Sequence, residues 1–367
     1  MAYQNPGAPR FYIDVFQYLK NLGFELRFND DSYSNLINLD PAIATEITTA
    51  AVIVTWSDAF IDEDSTNAQN QEDNILFEMK NFINPEKTYY ALLNHNITPN
   101  FSTATGFVSN PNIPNDTFEN REEILNAKDY SESNVNAYLD CQKGCTIMVG
   151  DTTSWTVGEG VSSYNKARLN ATDVSENLSI GAFSMGSYYD MPHSPELDLT
   201  MTIENDGYDF VTTQGGSHLS NVKYTGAPMW ERTDGTKVPP WTIGEPTAVG
   251  RRHGRRVWDL QFNYLNDSDL FASNYMNTNY MESGSDTGYD SGDIENNDFY
   301  YTLESDDSFH AQVLNKVGNG QRFIFQPDNT NNNPDQFAIC QLDQDSLDIS
   351  QVANGVYNIK LKIREVW

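Results

Sequence analysis

The sequence predicts an all-β protein in which an N-terminal arm precedes two β-sandwich domains, and three stretches carry that expectation. The chain ends on Tyr357–Trp367, where Ile359, Leu361 and Ile363 alternate with Lys360, Lys362 and Arg364. A period of two places one face of a strand in a core and the other in water. Leu197, Leu199, Met201 and Ile203 alternate in the same way with Asp198, Thr200, Thr202 and Glu204. Asn205-Asp206-Gly207 then offers a turn into a return strand, Tyr208–Thr213. Ala50–Trp56 and Thr88–Leu93 are short apolar runs between polar loops, the length and composition of buried strands.

In chain order, residues 1–45 read as the arm. Phe11–Val15 is a strand running into a short helix that ends at Gly23. Residues 46–190 read as a jelly-roll-like sandwich. Its strands include the two apolar runs, a hairpin of Ala137–Cys141 and Cys145–Gly150 around Gln142-Lys143-Gly144, and Leu178–Phe183. The acidic, Asn-rich stretch Asp62–Asp73 is a solvated loop, and His95 braces a loop through its ring nitrogens. Pro192 and Pro195 interrupt any ladder and mark a junction. Residues 191–367 form the second sandwich, with Trp258, Leu260, Phe262 and Tyr264 as one buried face and a short amphipathic helix over Phe309–Gly318. In that helix Phe309, Val313 and Leu314 share a side, and Gly318 suits the left-handed residue that ends it.

Composition narrows the function. With 52 acidic against 22 basic residues the net charge is −30, so the surface repels nucleic acid and anionic membrane, and direct nucleic-acid recognition is not expected. No apolar run approaches the roughly 20 residues that span a bilayer, and Met1–Pro6 lacks a signal-peptide pattern, so no membrane insertion is expected. Cys141, Cys145 and Cys340 make neither a disulfide framework nor a four-ligand zinc set; Cys141 and Cys145 either pair across a turn or stay free thiols. There is no Gly-x-Ser-x-Gly elbow, no His-Glu-x-x-His and no phosphate loop, so neither an enzyme, a cofactor nor a metal site is expected. Asp286, Asp290, Asp293 and Glu295 offer hard oxygen ligands, but their spacing departs from a calcium loop and favours a solvated acidic segment.

Two constellations stand out. Arg251, Arg252, Arg255 and Arg256 lie within six residues, fitted to clamp carboxylates of a neighbouring subunit or to neutralise acidic loops of the same chain. The long aromatic and proline-rich segment from Gly226 to Trp241 brings Trp230 and Trp241, which with Tyr188 and Tyr189 form either a platform for sugar rings or the filling of a domain interface.

After Ser305–Ser308 come helix, the strand at Phe323, the loop Gln326–Asp335, the strand at Phe337–Cys340, a polar hairpin and the final strand. That order, in an acidic, Asn- and Tyr-rich chain, resembles the C-terminal part of structural proteins of tailed bacteriophages, with distal-tail and tail-tube-like proteins nearest. The resemblance covers about the last third of the chain. It implies a tail-tube/distal-tail-like second domain and a jelly-roll-like accessory domain projecting outward. It also implies a virion structural protein of the tail or baseplate hub, built in the host cytoplasm into a ring of its own copies beside other virion tail proteins. On that reading Arg251, Arg252, Arg255, Arg256, Lys360, Lys362 and Arg364 lie at subunit contacts. The alternatives are a carbohydrate- or receptor-binding fibre component that contacts host-surface glycan, and a capsid decoration protein.

Overall fold

Every side chain of Arg10–Asp14 (β1) is buried, so the strand expected in an outlying arm lies inside the fold. The computed structural model describes residues 7–28, 30–48, 51–58, 87–96, 102–108, 121–127, 137–139, 144–150, 166–172, 178–197, 200–205, 208–222, 226–241, 254–271, 307–318 and 320–367. Asp14 ends β1 and caps the helix Val15–Asn21 (α1), its Oδ1 accepting from the amides of Phe16 (2.8 Å) and Gln17 (3.4 Å). There follow Phe24–Phe28 (β2), Thr45–Ile47 (β3), Ala51–Asp58 (β4), Thr88–His95 (β5), Ser102–Val108 (β6), Arg121–Ala127 (β7), Ala137–Leu139 (β8), Gly144–Gly150 (β9), Lys166–Thr172 (β10), Leu178–Ile180 (β11) and Ala182–Asp190 (β12). Next come Thr200–Glu204 (β13), Tyr208–Thr212 (β14), His218–Val222 (β15), Trp230–Glu231 (β16), Lys237–Val238 (β17) and Arg255–Asn266 (β18). A one-turn helix, Asp267–Leu270 (α2), follows. The π turn His310–Leu314, continued by Asn315–Val317, forms one helix (α3) ahead of Phe323–Gln326 (β19), Ala338–Leu342 (β20), Ile349–Ala353 (β21) and Val356–Glu365 (β22).

The protein is all-β in class, organised on one eleven-stranded antiparallel sheet in the order β13-β18-β22-β20-β19-β1-β12-β5-β9-β8, with β21 on β22. β1 sits between β12 and β19, Phe11 facing Tyr189 on one side and Phe325 on the other. One sheet therefore joins residues from all three expected units, and boundaries at 45 and 190 do not divide it. Pro192 and Pro195 follow the end of β12, where the Met191 amide donates to the Pro9 carbonyl at 2.9 Å; they end a strand without parting two domains. A second, five-stranded sheet runs β2-β4-β10-β6-β7. The chain crosses repeatedly between the sheets, β4 to β5 to β6 and β9 to β10 to β12, and β7 contacts β5 and β9 across them.

The middle of the large sheet is buried on both faces. Phe11, Phe323, Phe325, Ile359, Leu361 and Ile363 pack under Val313 and Val317 of α3, under its N-cap Phe309 and under Leu270 and Phe271. Tyr12, Tyr89, Leu93, Ile147, Ile324 and Ile339 lie on the other face with Leu39, Trp230 and Trp241. The final strand has the expected alternation, with Ile359, Leu361 and Ile363 inside and Lys360 exposed. The helix at Phe309 also forms where expected. The Ser308 hydroxyl accepts from the Ala311 amide at 3.3 Å, and Gly318 closes the helix at φ 55°.

Two local expectations need correction. The residues before and after Asn205 do not form a hairpin: β13 pairs with β18, and β14 pairs with β15. The turn that wins is Thr213–Ser217, where Gly216 takes φ 79° and the Thr213 amide donates to the Ser217 carbonyl at 2.9 Å. Tyr264 is exposed, because a bulge between Phe262 and Leu265 puts Tyr264 at φ 62° and hands its inward position to Leu265.

Candidate functional site

Gly254, at φ 73°, lets β18 begin hard against β13; a Cβ there would come within 2.6 Å of the Glu204 carbonyl oxygen. Two residues on, Arg256 is buried. Its Nε and Nη2 each reach a Glu365 carboxylate oxygen at 3.0 Å, Nη1 reaches the Asp335 carbonyl at 2.6 Å, and Nη2 also reaches the Phe337 carbonyl at 2.8 Å. The guanidinium lies 5.0 Å from the Trp258 ring centre. A fork satisfied this fully within its own chain is no clamp on a neighbour, which corrects the expectation for Arg256. Arg255, half-buried, lies over the Trp367 ring at 4.8 Å. Arg364 pairs with Glu204 and Lys362 with Asp343, each at 2.8 Å, and the Asp343 hydrogen bond raises the Lys362 pKa. Lys360 is exposed, whereas Arg251 and Arg252 lie outside the described residues. β22 itself has β18 along one edge and β20 and β21 along the other, so neither edge is open.

The aromatic side chains also turn inward. The Tyr189 hydroxyl donates to the Asp269 carbonyl at 3.1 Å, and its ring packs on Phe309. Trp230 and Trp241 pack together at 5.7 Å between centres, and Trp241 stacks on Phe337. Tyr188 lies under the Arg10 guanidinium at 4.3 Å, which Asp190 holds through bonds of 2.6 and 2.7 Å. The segment from Gly226 to Trp241 folds back as the β16–β17 hairpin onto the second face of the sheet. These rings therefore fill a core, and the sugar platform expected at Tyr189, Trp230 and Trp241 is not presented. Beside the two tryptophans remains a cleft of about 30 Å³, room for a water molecule.

Buried ionisable groups lie deeper in the sheet. Burial pushes the Asp14 carboxyl up to about 7, against the amides it accepts from and the Ser184 hydroxyl beside it. Ser184 in turn bonds the Tyr89 hydroxyl at 2.7 Å, and Tyr12 donates to Gln326 at 2.8 Å. His95 ties β5 to β9 rather than bracing a loop: Nε2 lies 2.9 Å from the Thr146 hydroxyl, while burial and then the charge of Arg232 push its pKa down to about 3. Cys145 and Cys340 are buried; Cys141 and the acidic segment Asp286–Glu295 lie outside the described residues. Among the described residues no cluster of His, Cys, Asp and Glu could hold a metal ion, and no helix is long and apolar enough to cross a membrane.

No protein-family model, curated protein or solved structure matches the chain.

Among the described residues, β13 ends one side of the large sheet with its apolar side chains half exposed. Met201 faces Trp258, which faces Ile363, so one apolar row runs out of the core to the last strand. There Met201 is 52% and Ile203 53% exposed. On the β14–β15 hairpin Val211 and Leu219 face each other across the strands, 59% and 60% exposed. Alternation alone reads Met201 and Ile203 as buried and so misses this edge. A usable signal was the charge pattern, since residues 210–230 hold no Asp or Glu in a chain with 52 of them.

Proposed function

We propose that the chain is a structural subunit of a bacteriophage virion, built into the distal tail or baseplate hub by joining copies of itself. The single observation that carries the assembly is the open apolar edge at β13. An edge strand presents a row of amide and carbonyl groups to any extended partner, and natural proteins usually guard such edges with Lys, Pro or a bulge. Thr200-Met201-Thr202-Ile203 has none of these guards. Copies with a net charge of −30 repel one another over most of their surface, and the acid-free stretch 210–230, which follows this strand in sequence, carries none of that repulsion. A contact between two different patches, repeated around an axis, closes a ring.

The tail assignment rests on the resemblance of the last third of the chain to distal-tail and tail-tube-like proteins. The contact moves from the basic strip, whose Arg256, Lys362 and Arg364 hold acids of their own chain, to the β13 edge. Light-scattering mass measurement with negative-stain imaging of the purified protein tests this reading. Closed particles of one size support it, and a monomer at every concentration overturns it.

A further inference from the structure

Among the described residues three arginines are buried: Arg10, Arg256 and Arg232. Asp190 meets Arg10 through two bonds, and Glu365 meets Arg256 through two more. Arg232, 7% exposed, has no such partner: its Nε and Nη2 are buried and make no hydrogen bond. Asp234, on the same hairpin, senses its charge but is exposed and forms no ion pair with it among the described residues. A guanidinium does not shed its proton, and a buried cation without a counter-charge strongly opposes folding.

The surroundings of Arg232 are polar and firmly held. The hairpin carrying it is fixed by the Arg232 amide donating to the Thr236 carbonyl at 2.9 Å and by the Glu231 amide donating to the Ala42 carbonyl at 2.7 Å. Asn94, at the end of β5, donates through Nδ2 to the Pro41 carbonyl at 2.8 Å and to the Glu231 carbonyl at 3.2 Å, which ties β5 to the hairpin. The next residue, His95, is buried against Thr146 and feels the Arg232 charge, so the ring beside the guanidinium is neutral and supplies no compensating charge. At the same end of the sheet the Asn94 Oδ1 and Ser179 Oγ atoms are also buried without a partner. Asn96 links them, its Oδ1 accepting from the Ser179 amide at 2.8 Å. Two guanidinium donors of Arg232 thus stand unsatisfied in a fold that meets its other buried arginines with carboxylates.

We propose that Arg232 anchors a binding site for one small oxyanion, a carboxylate or phosphate group held through two oxygens by Nε and Nη2. The planar fork matches a pair of oxygens on either group. The site stands apart from the β13 edge and does not rest on how copies assemble.

Calorimetric titration of the full chain with sodium phosphate and, separately, sodium acetate tests the site, with sodium chloride holding ionic strength constant. The wild type is expected to bind at least one of them at one site per chain, and which one responds names the group. Its melting temperature then rises by about 3 °C at an anion concentration near 100 times Kd. Arg232→Lys, which keeps the charge and loses the fork, should bind at least about tenfold more weakly, and Arg232→Met not at all. The wild-type titration and the Lys variant decide the matter if the Met variant does not fold. Absence of heat from both anions up to about 10 mM with the wild type, or an unchanged response in Arg232→Lys and Arg232→Met, overturns the proposal.

Discussion

β22 and β13 stand two places apart in one sheet and share the same alternation of apolar and polar residues, yet their surroundings are opposite. In β22 both edges are paired, and Ile359, Leu361 and Ile363 lie beneath α3 and its neighbours. In β13 one edge is paired with β18, and Met201 and Ile203 continue the same apolar face half exposed. Alternation decides which side chains share a face; whether that face is covered depends on elements far away in sequence. The charged residues divide similarly. Arg256, Glu365, Lys362 and Arg364 of β18 and β22 hold partners within the chain, whereas β13 contributes Glu204 alone, already paired with Arg364.

The largest expected effect lies at the closed end. Arg256→Met leaves the Glu365 carboxylate buried and unpaired, and should cost about 3–5 kcal/mol in urea unfolding. The double variant Arg256→Met with Glu365→Leu should recover most of it; a loss below about 1 kcal/mol in the single variant would show that the clamp does not hold β18 to β22.

Next comes the pH dependence of the sheet centre. Asp14 titrates at about 7 in the folded chain and near 3.8 unfolded. The fold therefore prefers its neutral form, and its contribution to stability is greatest below pH 4 and declines as pH rises to about 7. Over pH 5 to 8 the decline amounts to about 3 kcal/mol. Asp14→Asn keeps a capping side chain and should remove that slope; an unchanged slope in unfolding curves would place the proton elsewhere. His95 runs the other way. Its folded value of about 3 lies below its ordinary 6.5, so its contribution is complete above pH 6.5 and is lost as pH falls towards 3. His95→Gln should accordingly flatten the acid limb of the same curves.

The smallest effect belongs to the exposed basic strip. Lys362→Ala removes a partly exposed ion pair with Asp343, and should change stability by about 0–1 kcal/mol and leave the particle mass unaltered. A shift in mass would return the contact to the basic strip.

Local pattern made β4, β5, the β8–β9 hairpin, α3, β19, β20 and β22 legible, because each is set by periodicity, capping or turn residues within a short window. The central place of β1 was not, since Phe11-Tyr12-Ile13 shows that both faces are apolar but not that Tyr12 will bond Gln326, more than three hundred residues on. The Tyr264 bulge is hidden for a related reason: it answers to the Asn358 side chain, which accepts from the Tyr264 amide at 3.1 Å. At the candidate site, the four clustered arginines were visible in sequence. The partner that draws Arg256 inward, Glu365, lies on a strand whose placement only the sheet reveals. The β13 edge was misread because a half-buried strand and an uncovered one carry the same alternation.

The most direct measurement is the solution mass of the wild type beside Met201→Lys/Ile203→Lys, with folding of both checked by urea unfolding. Surface positions such as these should shift stability by no more than about 0.5 kcal/mol. The account predicts a closed oligomer for the wild type and a folded monomer for the double variant; the same oligomer in both, or a monomer in both, would contradict it.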